Sequence, residues 1–251
     1  MSPVAVAVAF GAGLVGGALV PMPAYRLSVP ADEPHRSTCI SCGRLLPAGL
    51  TGWVRLQAAC IGCGTRLGPR AWATATVAAL ASAFLAAALG PSLTLPLYVA
   101  MVVLGVLLAA IDLACKRLPH ALVVPSIWVT GALFAIVAAL TGEWGSWVRA
   151  LIAGAILFVV FLGLWLVPGQ GLGFGDVKLA ALLGIFLGWL SWGAVLLGGM
   201  LPWLVNGPIV VSLLIARRVG RKTFLPFGPA MLAGAMLSIM CVAWLRTWSE
   251  P

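Results

Sequence analysis

The chain has 251 residues, of which 62% are hydrophobic and only 8% are charged, and its formal net charge is +9. A soluble domain has about 25% charged residues, so this composition excludes an ordinary water-soluble protein and indicates one that folds in a lipid bilayer. The positive charge does not indicate a nucleic-acid partner, because the basic residues cluster in loops between apolar segments, the pattern that orients membrane proteins.

Apolar runs of membrane-spanning length predict an all-α polytopic protein with about eight transmembrane helices. The predicted spans are 3–20, 72–90, 95–112, 121–140, 147–167, 178–192, 194–215 and 228–246. No basic residue precedes the first apolar run, whereas a cleaved signal peptide has a basic segment there. We therefore expect this run to be a retained membrane helix. We expect three parts: a first transmembrane helix at 1–20, a cysteine-bearing loop at 21–71, and a transmembrane core at 72–251.

The distribution of Lys and Arg predicts how the chain is oriented. If the N-terminus lies outside, all of the fifteen Lys and Arg except Arg149 and Arg246 face the cytoplasm. This asymmetry follows the positive-inside rule, and reversing the protein or removing one span would destroy it. We therefore expect the plasma membrane as the location and the loop at 21–71 on the cytoplasmic side.

Four cysteines in that loop predict a small zinc-ribbon-like module. They form two CxxC pairs, Cys39 with Cys42 and Cys60 with Cys63. Two such turns bring four thiolates around one tetrahedral ion, and four Cys ligands leave no open position, which indicates structural zinc. Two disulfides are the alternative, but a cytoplasmic loop stays reduced, which favours the metal.

Two acidic residues stand out because each borders a long apolar run. Asp112 ends the third predicted span, and Asp176 opens the sixth, both on the predicted cytoplasmic side. An ionisable group beside lipid is a functional candidate, and paired carboxylates can hydrolyse a bond without a metal. The alternative is two interfacial charges that help to set topology, with Asp176 as a helix N-cap.

The stretch before Asp176 carries glycine at alternate positions: Gly171, Gly173 and Gly175. This pattern removes side chains from one edge of the backbone, so an extended substrate can approach it closely. Gly173-Phe174-Gly175-Asp176 is also the GxGD motif of membrane aspartic proteases.

Several further motifs accompany GxGD, and together they resemble the bacterial type IV prepilin peptidases, the prepilin leader peptidase/N-methyltransferase family. The motifs that carry the resemblance are Leu118-Pro119 after Asp112, the stretch from Gly171 to Lys178, the double CxxC after the first span, and Pro226-Phe227-Gly228-Pro229 before the last. The resemblance covers nearly the whole chain.

This resemblance implies an aspartic endopeptidase that removes the basic leader from type IV prepilins, or from pseudopilins of type II secretion, at the cytoplasmic membrane face. It implies Asp112 and Asp176 as the catalytic pair, with Gly173, Gly175 and Lys178 in support. It also implies that Cys39, Cys42, Cys60 and Cys63 hold zinc, and that S-adenosylmethionine serves N-methylation of the new N-terminus.

The sequence departs from the family at His120, where members usually have an acidic residue or Asn after Leu-Pro. His120 either titrates near the site or is a solvated loop histidine. Two other classes of protein remain to be weighed against the peptidase. One is a proton- or cation-coupled transporter that uses Asp112 and Asp176 as a relay, and the other is a zinc-stabilised membrane adaptor without chemistry.

Overall fold

A computed structural model describes residues 2–29, 35–56, 58–167, 172–215 and 226–249. Within these ranges the chain is all-helical apart from two isolated β-bridges. The helices are α1 Pro3–Ala18, α2 Pro21–Leu27, α3 Leu50–Trp53, α4 Ala71–Leu89, α5 Leu95–Cys115, α6 His120–Thr141, α7 Trp144–Leu166, α8 Phe174–Leu190, α9 Trp192–Ile215 and α10 Gly228–Ser249. The acidic residues Asp32, Glu33 and Glu250, the first motif glycine Gly171, and the basic run 217–222 lie outside the described residues.

Each of the eight predicted spans corresponds to one long helix, which confirms an all-α, multi-pass membrane protein. By length and composition, α4, α5, α6, α7 and α10 can each cross a bilayer, and the pair α1–α2, bent by 43°, adds a sixth span if it is counted as one. Helix α8 has 17 residues. At 1.5 Å per residue it is about 25 Å long, somewhat shorter than a hydrocarbon core of about 30 Å.

The two helices that carry the aspartates extend beyond their predicted ends. Helix α5 continues past Asp112 to Cys115 and stops where Lys116 takes a left-handed backbone conformation with φ of 55°. Helix α8 begins at Phe174, so that Asp176 lies in its first turn. Each of these predicted spans stops at a charged residue, but a helix can extend beyond the apolar region that it crosses.

The first of two compact units comprises residues 1–91 and 98–117. Helices α1 and α4 pack closely in this unit because small residues line their interface. A Cβ at Gly17 would lie only 2.5 Å from the carbonyl oxygen of Thr74, and a Cβ at Gly13 would lie 2.5 Å from that of Ala78. Glycine is therefore required at both positions for the two backbones to approach.

Two adjacent side chains of α2 hold the cysteine loop in place. The hydroxyl of Tyr25 donates to the carbonyl of Thr38 at 3.1 Å and accepts the N–H of Ile40 at 2.9 Å. The buried guanidinium of Arg26 donates to the carbonyls of Gly52 and Pro47 at 3.1 and 2.6 Å. The loop is thereby tied to α2 through backbone groups that would otherwise lack partners.

The second unit comprises residues 92–97 and 118–251. Helix α8 lies at its centre, in contact with α6, α7, α9 and α10. Most residues of α8 are buried, as expected for a helix that is apolar on all sides. At its C-terminal end, the guanidinium of Arg149 donates to the carbonyls of Gly188 and Trp189, both at 2.6 Å. The division of the chain into 1–20, 21–71 and 72–251 stays a prediction.

Candidate metal and catalytic sites

The four cysteines of the loop form a compact cluster. The Sγ atoms of Cys39, Cys42, Cys60 and Cys63 all lie within 4.8 Å of one another. Two of these separations, Cys39 to Cys63 and Cys42 to Cys60, are 3.7 and 3.6 Å. A zinc ion with Zn–S bonds of about 2.3 Å places tetrahedral sulfurs about 3.8 Å apart, so the cluster fits zinc. A disulfide would require about 2.0 Å, and all four residues are free cysteines.

The two CxxC turns that carry the cluster have the same backbone geometry. The N–H of Cys39 donates to Arg44 O at 2.9 Å, and the N–H of Gly43 donates to Cys39 O at 2.9 Å. Both bonds recur with equal lengths in the turn of Cys60. Gly43 and Gly64 adopt φ of 70° and 69°, a region that glycine occupies at little cost, which explains why glycine follows each pair.

Hydrogen bonds around the second turn favour the thiolate form, which is the form that binds metal. The hydroxyl of Thr65, 3.2 Å from Sγ of Cys63, and the Thr65 backbone N–H lower the pKa of Cys63 to about 6. The backbone N–H groups of Cys63 and Gly62 lower the pKa of Cys60. The pKa of Cys42, in contrast, is raised to about 12 by hydrogen bonds with the neighbouring thiols. Two of the four thiols are therefore favoured as thiolates before metal binds, and the spacing of the cluster fits a structural four-cysteine zinc site.

Asp176 is buried, with 7% of its surface exposed, and its carboxylate closes the first turn of its own helix. Its Oδ2 accepts the backbone N–H of Gly173 at 3.1 Å, while its own N–H donates to Gly173 O at 3.0 Å. Gly173 is therefore the N-cap of α8 and Asp176 is the third residue of the helix. A carboxylate at this end is favoured by the helix dipole.

Gly175 is needed because the chain approaches it closely. A Cβ at Gly175 would lie 2.9 Å from Cβ of Leu118 and 3.4 Å from its backbone nitrogen. Leu118 and Gly175 belong to the two motifs that carry the sequence resemblance, Leu-Pro and GxGD. The structure thus explains the second glycine of GxGD, Gly175, which makes room for Leu118, while the backbone N–H of Gly173 binds the carboxylate of the aspartate.

Lys178 and His120 meet at the N-terminal ends of α8 and α6. Nζ of Lys178 lies 3.0 Å from Nδ1 of His120 and 4.5 Å from the centre of the Phe174 ring. His120 is exposed and is the first residue of α6, so it belongs to a helix and not to a loop, and its partner is Lys178. The contact joins the ends of two helices, a role for Lys178 that the sequence did not specify.

Asp112 is also buried, with 4% of its surface exposed, in the last turn of α5. Its carbonyl accepts the N–H of Lys116 at 2.7 Å as the helix ends. Asp112 belongs to the first unit and Asp176 to the second, so their pairing stays a prediction.

Sequence reasoning did not identify Tyr25, Arg26 or Arg149 as residues that hold other segments in place. Their hydrogen-bond partners are backbone groups distant in the chain, which sequence periodicity does not reveal.

Residues 98–216 match the model of the Type IV leader peptidase family. The chain is 28% identical over 231 residues to the prepilin leader peptidase/N-methyltransferase of Aeromonas hydrophila, covering 90% of this chain and 77% of that protein. It is 32% identical over 228 residues to the protein of that name from Burkholderia pseudomallei (strain K96243), covering 86% and 68%. Against the protein of that name from Escherichia coli (strain K12) it is 33% identical over 139 residues, covering 55% and 60%. No solved structure matches the chain.

Proposed function

Because the chain belongs to the type IV leader peptidase family, we propose that it is a membrane aspartic endopeptidase that removes the basic leader from type IV prepilins or pseudopilins. The observation that carries this proposal is the similarity over most of the chain to prepilin leader peptidases. The same similarity favours the peptidase over a proton- or cation-coupled transporter and over an adaptor without chemistry.

Asp112 and Asp176 are proposed as the catalytic pair. Both carboxyl groups are buried at helix ends. Burying an ionisable side chain beside lipid costs free energy, which makes each aspartate a candidate functional residue. Leu118, which packs against Gly175, follows Asp112 by six positions in the sequence.

In the proposed mechanism the two carboxyl groups have different protonation states at rest. Asp176 lies at the N-terminus of α8 and accepts the N–H of Gly173, and both features favour the carboxylate. Asp112 lies at the C-terminal end of α5, where the dipole disfavours a negative charge. Asp176 therefore takes a proton from the attacking water, while Asp112 donates a hydrogen bond to the scissile carbonyl and stabilises its developing negative charge.

The four cysteines are proposed to hold one structural zinc ion. Zinc with four thiolates has no open coordination position, so it supplies folding free energy to the loop and does not activate water. Tyr25 and the backbone turns hold the ligating residues in position. The zinc would therefore stabilise the fold of the loop and take no part in the hydrolytic step.

N-methylation of the new N-terminus is proposed as a second activity, because the relatives are named prepilin leader peptidase/N-methyltransferase. S-adenosylmethionine would supply the methyl group. The sequence has no glycine-rich adenosyl-binding fingerprint, so we assign no residue to the donor. Adding labelled S-adenosylmethionine to a cleavage assay tests this activity, and an unlabelled product would rule it out.

We also propose an inner-membrane location with the N-terminus outside and the catalytic face in the cytoplasm. The charge asymmetry supports this orientation, because only Arg149 and Arg246 would lie on the outer face. Arg149 donates to carbonyls at the end of α8, so its charge serves a structural purpose there. A prepilin with its apolar helix in the bilayer would present its scissile bond at this face.

The test of the peptidase is cleavage of a purified prepilin by the purified protein and by its Asp112→Asn and Asp176→Asn variants. Each substitution keeps the size of the side chain but removes its acid–base chemistry, so each should lower kcat by at least about a thousandfold. Glu143→Gln is the matched control, because Glu143 is an exposed acidic residue outside the proposed site and should retain activity. Full cleavage by either folded Asp variant would refute the catalytic pair.

A further inference from the structure

A cavity of about 510 Å³ lies within the first unit. Its walls come from α2, from the segments on either side of the cysteine cluster, and from α4 and α5. The lining is mainly apolar, and its α5 wall is formed by Val106, Ala109, Ala110, Leu113 and Ala114. These residues recur at helical spacing, so they share one face of α5, and they flank Asp112 on both sides in the sequence.

The cavity is shaped for apolar side chains carried on a helix. Much of its lining consists of small residues, among them Ala73, Ala109 and Gly68, which let a second backbone come close. Two larger apolar side chains that line it, Val77 and Leu113, are 56% and 65% exposed. The volume lies within the range of pockets that bind a ligand specifically.

One side of the cavity is polar and positively charged. Arg36 lines it, with its guanidinium 4.9 Å from the centre of the Tyr25 ring and donating to Ser28 O at 3.0 Å. A fixed cation here repels a basic segment and tolerates an apolar one. The prepilin leader is basic, and the segment after the scissile bond is an apolar helix. The charge of Arg36 therefore favours the apolar helix over the leader as the occupant of the cavity.

We propose that this cavity is the docking site for the apolar helix of the prepilin, on the C-terminal side of the scissile bond. The inference rests on the proposed peptidase function and deepens it. The helix packs against α4 and the face of α5 that flanks Asp112, while the leader stays outside, beyond Arg36. The cavity contributes to substrate binding and takes no part in the chemical step.

The test uses two phenylalanine substitutions that fill the cavity, Ala73→Phe on α4 and Ala109→Phe on α5. Ala100→Phe is the matched control, because it places the same ring at an exposed position of α5 outside the cavity lining. Two substrates are compared: a full-length prepilin, and a short peptide that contains the leader and scissile bond but lacks the apolar helix. Cavity filling should raise KM for the prepilin and lower its kcat/KM by at least about tenfold relative to that of the short peptide.

Equal effects of the cavity variants on the two substrates would overturn the docking site, as would the absence of any effect. Failure of the wild-type protein to cleave either substrate would instead overturn the peptidase function itself. A photoreactive benzophenone side chain placed at Val77 gives a second readout that does not depend on turnover. It should crosslink to the prepilin in the membrane, and crosslinking to lipid alone in the presence of prepilin would contradict the proposal.

Discussion

Leu118 packs directly onto Gly175, so closely that a Cβ at Gly175 would lie 2.9 Å from Cβ of Leu118. Gly175 precedes Asp176 in α8, and Leu118 precedes Pro119 and the start of α6. The contact between Leu118 and Gly175 therefore sets the distance between the segment before α6 and the first turn of α8, which contains Asp176. A second contact between these helix ends joins Lys178 to His120.

Gly175→Ala should lower prepilin cleavage by at least about tenfold, because the added methyl group forces Leu118 and the first turn of α8 apart. Leu118→Gly removes the opposing Cβ, so the double variant should recover part of the lost activity. Gly163→Ala is the control, since a Cβ there meets nothing within 4 Å. Cleavage kinetics measure the effect, and unchanged activity in Gly175→Ala would show that the contact does not matter.

Each loop cysteine is expected to be necessary for binding one zinc ion per chain. Cys39→Ser should abolish stoichiometric zinc in the purified protein, because a hydroxyl is a poor replacement for a thiolate ligand. Cys241→Ser should keep the metal, since Cys241 is exposed and lies outside the cluster. Elemental analysis measures zinc content. The assignment fails if Cys39→Ser retains full zinc or if the wild-type protein contains none.

Tyr25→Phe should weaken zinc binding although Tyr25 is not a ligand. Its hydroxyl holds Ile40 N–H and Thr38 O on either side of Cys39, and removing such a support typically costs about 10–100-fold in metal affinity. Competition with a chromogenic chelator measures the affinity. Tyr98→Phe makes the same chemical change on α5 and should leave the zinc affinity unchanged. Equal affinities of Tyr25→Phe and the wild-type protein would contradict the role assigned to the hydroxyl.

Arg149→Met should destabilise the second unit, because it leaves carbonyl oxygens at the end of α8 without a donor. Hydrogen bonds to a charged group are worth about 1.5–3 kcal/mol, so we expect a loss of that order in the free energy of unfolding. Arg149→Lys retains the positive charge but lacks the several N–H donors of a guanidinium. Its loss in the free energy of unfolding should therefore be smaller than that of Arg149→Met. Thermal unfolding in detergent measures both, and identical melting temperatures of Arg149→Met and the wild-type protein would rule out the cap.

Some parts of the site could be predicted from residue types and spacing alone. The two CxxC turns are local, and the Cys-x-x-Cys-Gly segment forms the same hydrogen-bonded turn at both places. The eight long helices follow from apolar runs, because a bilayer requires every backbone group to be satisfied within a helix. Helix α5 ends three residues after its predicted span, and α8 begins four residues before its own, since a helix continues past a charged residue until its backbone hydrogen bonds are capped.

The sequence by itself determined the membrane class and the helices, and it identified the four loop cysteines as candidate metal ligands and the two aspartates as candidate catalytic residues. These depend on composition and on short-range spacing, which no distant contact changes. Only the tertiary structure decided that Leu118 requires Gly175, that Tyr25 supports the first cysteine turn and that Arg149 caps α8. Each of these is a contact between segments far apart in the chain, and its geometry depends on how helices pack, which no local pattern contains.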